Sequence, residues 1–211
     1  MKKLWGWLTK NEGLIVLLVI AIVLRLPSLL EPYWYGDEQI YMAIGQGVRK
    51  GLLLYRDITD YPNKPPLIYL VAGLSRSLFW FKFLLMVWNL IHTAIMYSLI
   101  RRLWPKRVKL VIGATLAFIL LTSLPVLEGN IANGEMFMIM PTTIGMFLLW
   151  NYKSRMPNDK LWKTFIAGIL FSVGFLFKIP VAVDIAAAGL WFFLWNEPVR
   201  LWLKNKALYM W

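Results

Sequence analysis

The chain is 211 residues long, 59% of them hydrophobic and 16% aromatic, with a mean hydropathy of +0.59, well above what a soluble domain of this size carries. It contains no cysteine, which excludes disulfides and thiolate metal sites. The formal charge is +12, from 23 Lys and Arg against 11 Asp and Glu. In a soluble chain such a surplus would point to nucleic acid.

Crossing roughly 30 Å of hydrocarbon takes about 20 apolar residues. Six runs qualify, at 13–30, 79–100, 108–127, 136–152, 165–177 and 180–195, the fifth being short and dependent on its flanks. The opening Met1-Lys2-Lys3 has the look of a signal peptide, but its apolar run ends in Leu24-Arg25-Leu26-Pro27 with no small-residue cleavage site, so it reads as a retained first span. The expected fold class is all-α: a polytopic transmembrane helix bundle of about six spans, with residues 1–211 forming a single membrane domain.

Orientation follows from the bases. A cytoplasmic N-terminus places Lys2, Lys3, Lys10, the 101–109 and 153–163 loops, Arg200, Lys204 and Lys206 on that side, 15 of the 23 bases with only Glu12, Asp159 and Glu197. The far side keeps eight bases and eight acids, so the whole surplus lies on the cytoplasmic face in short loops beside spans. Membrane lipids, rather than nucleic acid, are the expected partners. The expected location is a plasma membrane, with any site on the balanced external face.

That face has one long segment, 31–78, well beyond the length of an ordinary interhelical turn. Asp37 to Lys50 reads as a short helix lying on the membrane surface, with Ile40, Tyr41, Ile44 and Val48 on one side and Asp37 projecting into that apolar face. In the first turn, free N–H groups and the helix dipole favour the Asp37 carboxylate while apolar surroundings oppose it. Such tension suits a base; the alternative is that Asp37 caps the helix and Glu38 is solvated. The connection then passes through Tyr55-Arg56-Asp57 and Asp60-Tyr61-Pro62 to Asn63-Lys64-Pro65-Pro66. Two prolines cannot continue a helix from their N-terminal side, so the apolar run 67–74 begins a second surface or re-entrant helix with Lys64 at its mouth. Lys64 is either a snorkelling anchor or a cation fixed by its prolines.

These residues resemble the first external loop of the C-type glycosyltransferases that use lipid-phosphate sugars, relatives of the protein O-mannosyltransferases and the aminoarabinose transferases. The resemblance rests on Asp37-Glu38-Gln39-Ile40-Tyr41, on Leu54-Tyr55-Arg56-Asp57 and on Asn63-Lys64-Pro65-Pro66-Leu67-Ile68-Tyr69. It continues through Asn133-Gly134-Glu135-Met136-Phe137 and Gly174-Phe175-Leu176-Phe177-Lys178, in the family's order, over roughly 24–180. It implies that Asp37 is the catalytic carboxylate, that Glu38 and Glu135 support it, and that Lys64 contacts the lipid phosphate. Tyr41, Arg56 and Lys178 are further substrate-binding candidates, with Arg25 in reserve. The implied reaction moves a sugar from a polyprenyl-phosphate donor to a hydroxyl of a lipid, glycan or protein acceptor, inverting the anomeric carbon. Some relatives bind a metal through an acid just before that lysine; here the position is Asn63, so a divalent metal cofactor is not supported by the sequence, and no metal site is assigned.

Other candidates have plainer readings. Glu128 and Glu135 flank a short external turn, and Glu128 stays undecided between site and helix end. His92 suits a hydrogen-bonded position within the bundle. Lys178 and Asp184 are expected to pair across Pro180. Most tryptophans mark an interfacial belt, with Trp34 alone set aside as a candidate to face a sugar. The rival reading is a carrier or flippase of lipid-linked sugars, which would place its ionisable groups near mid-membrane, often in repeated halves; here the acids gather at one surface. The ending Ala207-Leu208-Tyr209-Met210-Trp211 reads as the opening of another span, so the expectation is the N-terminal part of a longer enzyme, possessing the first-loop chemistry and incomplete or inactive by itself.

Overall fold

In an apolar medium a backbone must satisfy its own polar groups, and long apolar runs do so as helices. A computed structural model of the chain shows this. It describes residues 12–32, 35–59, 63–150 and 161–196. The terminal bases, Trp34, Asp60 to Pro62, most of the 153–163 loop and the segment after Asn196 lie outside these residues, as do the expectations attached to them.

The elements are α1 Glu12–Arg25, α2 Gly36–Arg49, α3 Pro66–Leu74, α4 Leu78–Leu103, α5 Val108–Leu121, α6 Gly134–Trp150, α7 Leu161–Phe177 and α8 Val181–Asn196, with 3-10 turns at Pro27–Leu30 and Pro125–Leu127. Among the described residues the only β-type pairing is an isolated bridge between Leu54 and Ile58. The protein is an all-α membrane bundle. By length and hydropathy, Glu12–Leu30 and Leu78–Leu103 suffice to span, and four shorter apolar helices accompany them.

A helix is found at each expected span, with two adjustments. The first ends its α-helix at Arg25, because Pro27 cannot join the ladder, and finishes as a 3-10 turn. The third, expected over 108–127, stops at Leu121: Pro125 opens another 3-10 turn, and Glu128 closes that turn at φ 56°, in the left-handed region.

Three clusters hold the bundle. Leu14, Leu17 and Ala21 of α1 pack with Tyr97 and Ile100 of α4 and with Val111 and Ile119 of α5. At the far end of α6 and α7, Leu149, Ala167 and Phe171 pack on Val181 and Ala188 of α8. The third cluster joins α2 and α3 to the beginnings of α4 and α6 and the end of α7, through Tyr41, Met42, Tyr69, Phe81, Phe137 and Phe177. Phe81, Phe137 and Phe177 form a stack with centroid spacings of 5.9 and 5.4 Å.

α2 has a protein partner on its apolar side. Its apolar face is covered by α3, leaving Tyr41, Met42 and Ile44 buried. The approach is close because both helices present glycine: a Cβ on Gly45 would lie 2.8 Å from the Tyr69 carbonyl oxygen, and one on Gly73 would lie 2.7 Å from the Gly45 carbonyl oxygen. This is a small-residue crossing of the kind that lets membrane helices touch backbone to backbone.

Gly45→Ala should therefore cost about 1–3 kcal/mol through overpacking, read as a lower thermal midpoint of the detergent-solubilised protein. Gly113→Ala is the control: its methyl meets nothing within 4 Å, and the exchange should hold or slightly raise the midpoint. Equal midpoints for the two variants would contradict the crossing.

Candidate active site

The Asp37, Lys64, Glu135 and Lys178 side chains are gathered at one end of the bundle, opposite the 104–107 turn, by three separate chain passages. The first is the start of α2. Tyr35 is extended and Gly36 begins the helix, so Asp37 and Glu38 fall in its first turn, where unpaired N–H groups favour negative charge. Helical spacing then places Tyr41 one turn along from Asp37, and its hydroxyl donates to Asp37 Oδ2 at 2.9 Å.

The second passage is the Pro-Pro segment. Pro65 is extended (φ −60°, ψ 160°) and Pro66 starts α3, an arrangement that matches proline's fixed φ and missing N–H. Lys64 just before them is held by two tyrosines: Tyr55 Oη donates to its carbonyl at 2.7 Å, and its own N–H donates to Tyr69 Oη at 3.2 Å. Tyr55 adopts φ 67° in this position, a left-handed conformation uncommon for a bulky residue. So fixed, the Lys64 side chain pairs with Asp37 Oδ2, donates to Tyr41 Oη at 2.5 Å and lies 4.8 Å from the centroid of the Tyr41 ring. The snorkelling alternative is thereby replaced: Lys64 turns inward and only 17% of its side chain is exposed.

The third passage joins the start of α6 to the end of α7. Asn133 caps α6 by accepting from the Met136 N–H at 3.1 Å. Gly134 lies close under Phe177 and Lys178. Lys178 pairs with Glu135, so the expected partnership with Asp184 gives way to one with the beginning of α6. Tyr35 hydrogen-bonds Glu128, and burial followed by that carboxylate's charge raises the phenol's pKa; Glu128 thus faces the site through Tyr35.

The result is an alternation of charges, Asp37 with Lys64 and Glu135 with Lys178. Burial pushes the Asp37 carboxyl up, but hydrogen bonds from Lys64 and Tyr41 and the charges of Lys64 and Lys178 outweigh it and hold its pKa below the ordinary value. Burial and the nearby Lys64 charge lower Lys178. Burial raises Tyr41, which remains a neutral donor. At rest Asp37 is therefore charged but is a weaker base than the sequence suggested, because its counter-ion is already in place.

Two expected residues are elsewhere. Arg56 is exposed and bonds its neighbour Asp57 at 2.8 Å. Arg25 is buried, donating to the carbonyls of Thr122 and Gly129, the latter at 2.9 Å; with its amide oxygen turned toward the guanidinium, Asn89 also accepts from Arg25 Nη1 at 3.2 Å. Arg25 thus ties α1 to the 122–129 segment, and its donors are committed there. His92 makes a 3.1 Å contact with Thr143 inside the bundle. Among the described residues, no three of His, Cys, Asp and Glu are grouped to hold a metal ion.

Sequence reasoning missed the surroundings of Glu38. This side chain is fully buried, accepts from the Ala132 N–H at 2.7 Å and lies 3.5 Å from Lys82 Nζ. Burial raises its pKa, opposed by the Ala132 N–H and by Lys82. Lys82 was legible in principle: an ionisable residue near the start of an apolar span is a signal in its own right.

A model of the family described as dolichyl-phosphate-mannose-protein mannosyltransferase matches residues 63–211. The match takes in Lys64, Glu135 and Lys178 and begins after Asp37. No curated protein and no solved structure matches the chain.

Because the folded-state pKa of Asp37 is depressed, its stabilising contribution is present above the unfolded value of about 4 and is lost as pH falls through the folded one. Lys64→Met should shift the Asp37 titration upward. Infrared titration of the carboxyl band, assigned by its loss in Asp37→Asn, would show this; identical titrations in wild type and Lys64→Met would refute the pairing.

Proposed function

The chain belongs to the dolichyl-phosphate-mannose-protein mannosyltransferase family, integral membrane glycosyltransferases that use lipid-phosphate sugars, and we propose that this chain's own reaction is transfer from a polyprenyl-phosphate sugar to an acceptor hydroxyl at the outer face of a plasma membrane. The acceptor is a lipid, glycan or protein. The observation that carries this reading is the Asp37–Lys64 pair, a carboxylate at a helix start meeting a lysine braced by two prolines and two tyrosine hydroxyls.

The pair holds the two charges that the reaction needs. The acceptor oxygen attacks the anomeric carbon, the bond from that carbon to the phosphate oxygen breaks with its electrons passing to the phosphate, and the hydroxyl proton goes to Asp37. A phosphate is a good leaving group and needs no acid, so one carboxylate base is enough. A single displacement inverts the anomeric carbon. The departing phosphate gains charge and requires a fixed cation; Lys64 supplies it, and Lys178 approaches from the other side.

Pairing also gives the steps an order. While Lys64 holds Asp37, the carboxylate is a poor base. A donor phosphate arriving at Lys64 takes the ammonium away, leaving Asp37 with only the Tyr41 hydroxyl and raising its basicity when a sugar is present. Glu135 holds Lys178 until the same phosphate claims it. Arg56 enters this scheme only from the solvent side, with Asp57 as its resting partner.

Asp37→Asn should lower transfer by about 100-fold or more, the scale of a lost general base, measured as release of free polyprenyl phosphate by purified protein given donor and acceptor. The variant should still insert in the membrane. Lys64→Met should raise the donor KM as well as lower kcat. Full turnover by Asp37→Asn would end the reading, while donor movement across vesicles without phosphate release would favour a carrier.

A further inference from the structure

Behind Asp37 the bundle encloses a second group of charges that the transfer scheme does not use. Lys82, in the first turns of α4, has only 1% of its side chain exposed, and Glu38 has none. Lys82 Nζ lies 3.5 Å from Glu38 Oε2 and 3.4 Å from Glu31 Oε2. Glu31 also accepts from Asn130 Nδ2 at 2.7 Å, and Glu38 Oε1 accepts from the Ala132 N–H at 2.7 Å. One ammonium thus ties together the exit of α1, the first turn of α2, α4 and the 130–132 strand of chain that leads into Glu135.

We propose that Lys82 is a positioning residue for the transfer reaction: its ammonium, 3.5 Å from the buried Glu38 carboxyl, holds that side chain in place, and Glu38 in turn sets Asp37 against Lys64 on one side and the approach to Glu135 on the other. This rests on the transferase reading above. The physical reason is that Glu38 adjoins Asp37 in the same helical turn, so a shift of one carries the other. A fully buried carboxylate is expensive without a cation. Removing Lys82 leaves two acids, Glu31 and Glu38, facing each other without a counter-charge. Glu38 then takes up a proton or moves toward water, and either change releases the anchoring of the α2 start to Ala132. Lys82 pairs with Glu31 and Glu38 rather than with Asp37 or Lys64, so its influence passes through Glu38 rather than through the donor phosphate.

The absence of cysteine from the chain makes a direct test possible. Spin labels at cysteines replacing the exposed residues Gln39 and Val126 report the distance between α2 and the 122–133 segment. Wild type should give one narrow distribution. Lys82→Met should broaden it and lower kcat, counted per folded molecule from the monodisperse gel-filtration fraction, at least tenfold while the donor KM stays within threefold. The double variant Glu38→Gln with Lys82→Met, which removes the unpaired acid but keeps an acceptor for Ala132, should narrow the distribution again and recover part of kcat. A narrow distribution and wild-type kcat in Lys82→Met would overturn the proposal. If Lys82→Met fails to fold, the double variant decides alone: a broad distribution in the double variant would also overturn it. Were wild type to show no transfer, the transferase reading would fall, while the distance measurements would still judge whether Lys82 holds Glu38 and the α2 start in place.

Discussion

A charge removed from water into an apolar bundle must find its counter-charge or its hydrogen bonds inside the protein, and among the described residues three such charges are enclosed at one end: Arg25, Glu38 and Lys82. Each reaches chain far away in sequence. Arg25 reaches the carbonyls of Thr122 and Gly129, and Glu38 reaches Ala132 and Lys82. These bonds draw the 122–133 segment over the exits of α1 and α2, so the loops at this end form one assembly. The half-buried pairs of the candidate site are built on its surface.

The two layers differ in kind. The enclosed layer is short of solvent and has little freedom, so its charges act as fixed anchors. The outer pairs, Asp37 with Lys64 and Glu135 with Lys178, retain partial exposure, and an incoming anion can compete for their lysines. A carboxylate masked by a removable cation is a base whose strength depends on what occupies the cation. Tyr41 links the two demands: its ring packs edge-on to Tyr69 at 5.8 Å in the core while its hydroxyl serves Asp37.

Much of this was legible from residue patterns. Length and hydropathy were enough for the spans, and Pro27 and Pro66 mark an end and a beginning by their chemistry. Asp37 and Lys64 stood out as ionisable residues within the one long external segment, and Glu135 through the family resemblance; the structure brings all three to the same end. The failures have a common cause. The partner of Lys178 was sought nearby, at Asp184, whereas Glu135 lies beyond the α6–α7 hairpin. Arg25 and Arg56 were weighed by charge alone, yet one is committed to carbonyls and the other faces solvent with Asp57. The periodicity of α2 shows that one face is apolar without showing that α3 packs against it.

From the sequence alone came the helical class, the bulk of each apolar helix and the short list of ionisable groups, since these depend on hydropathy and on local backbone chemistry. Tertiary structure decided which cation meets which anion and which of the acids at 37 and 38 is enclosed. The reason is that a pair of charges is worth little until burial and geometry are set together. Both are properties of helices meeting across scores of residues, and Lys82, a single base within an apolar run, acquires its meaning only when Glu31 and Glu38 close around it.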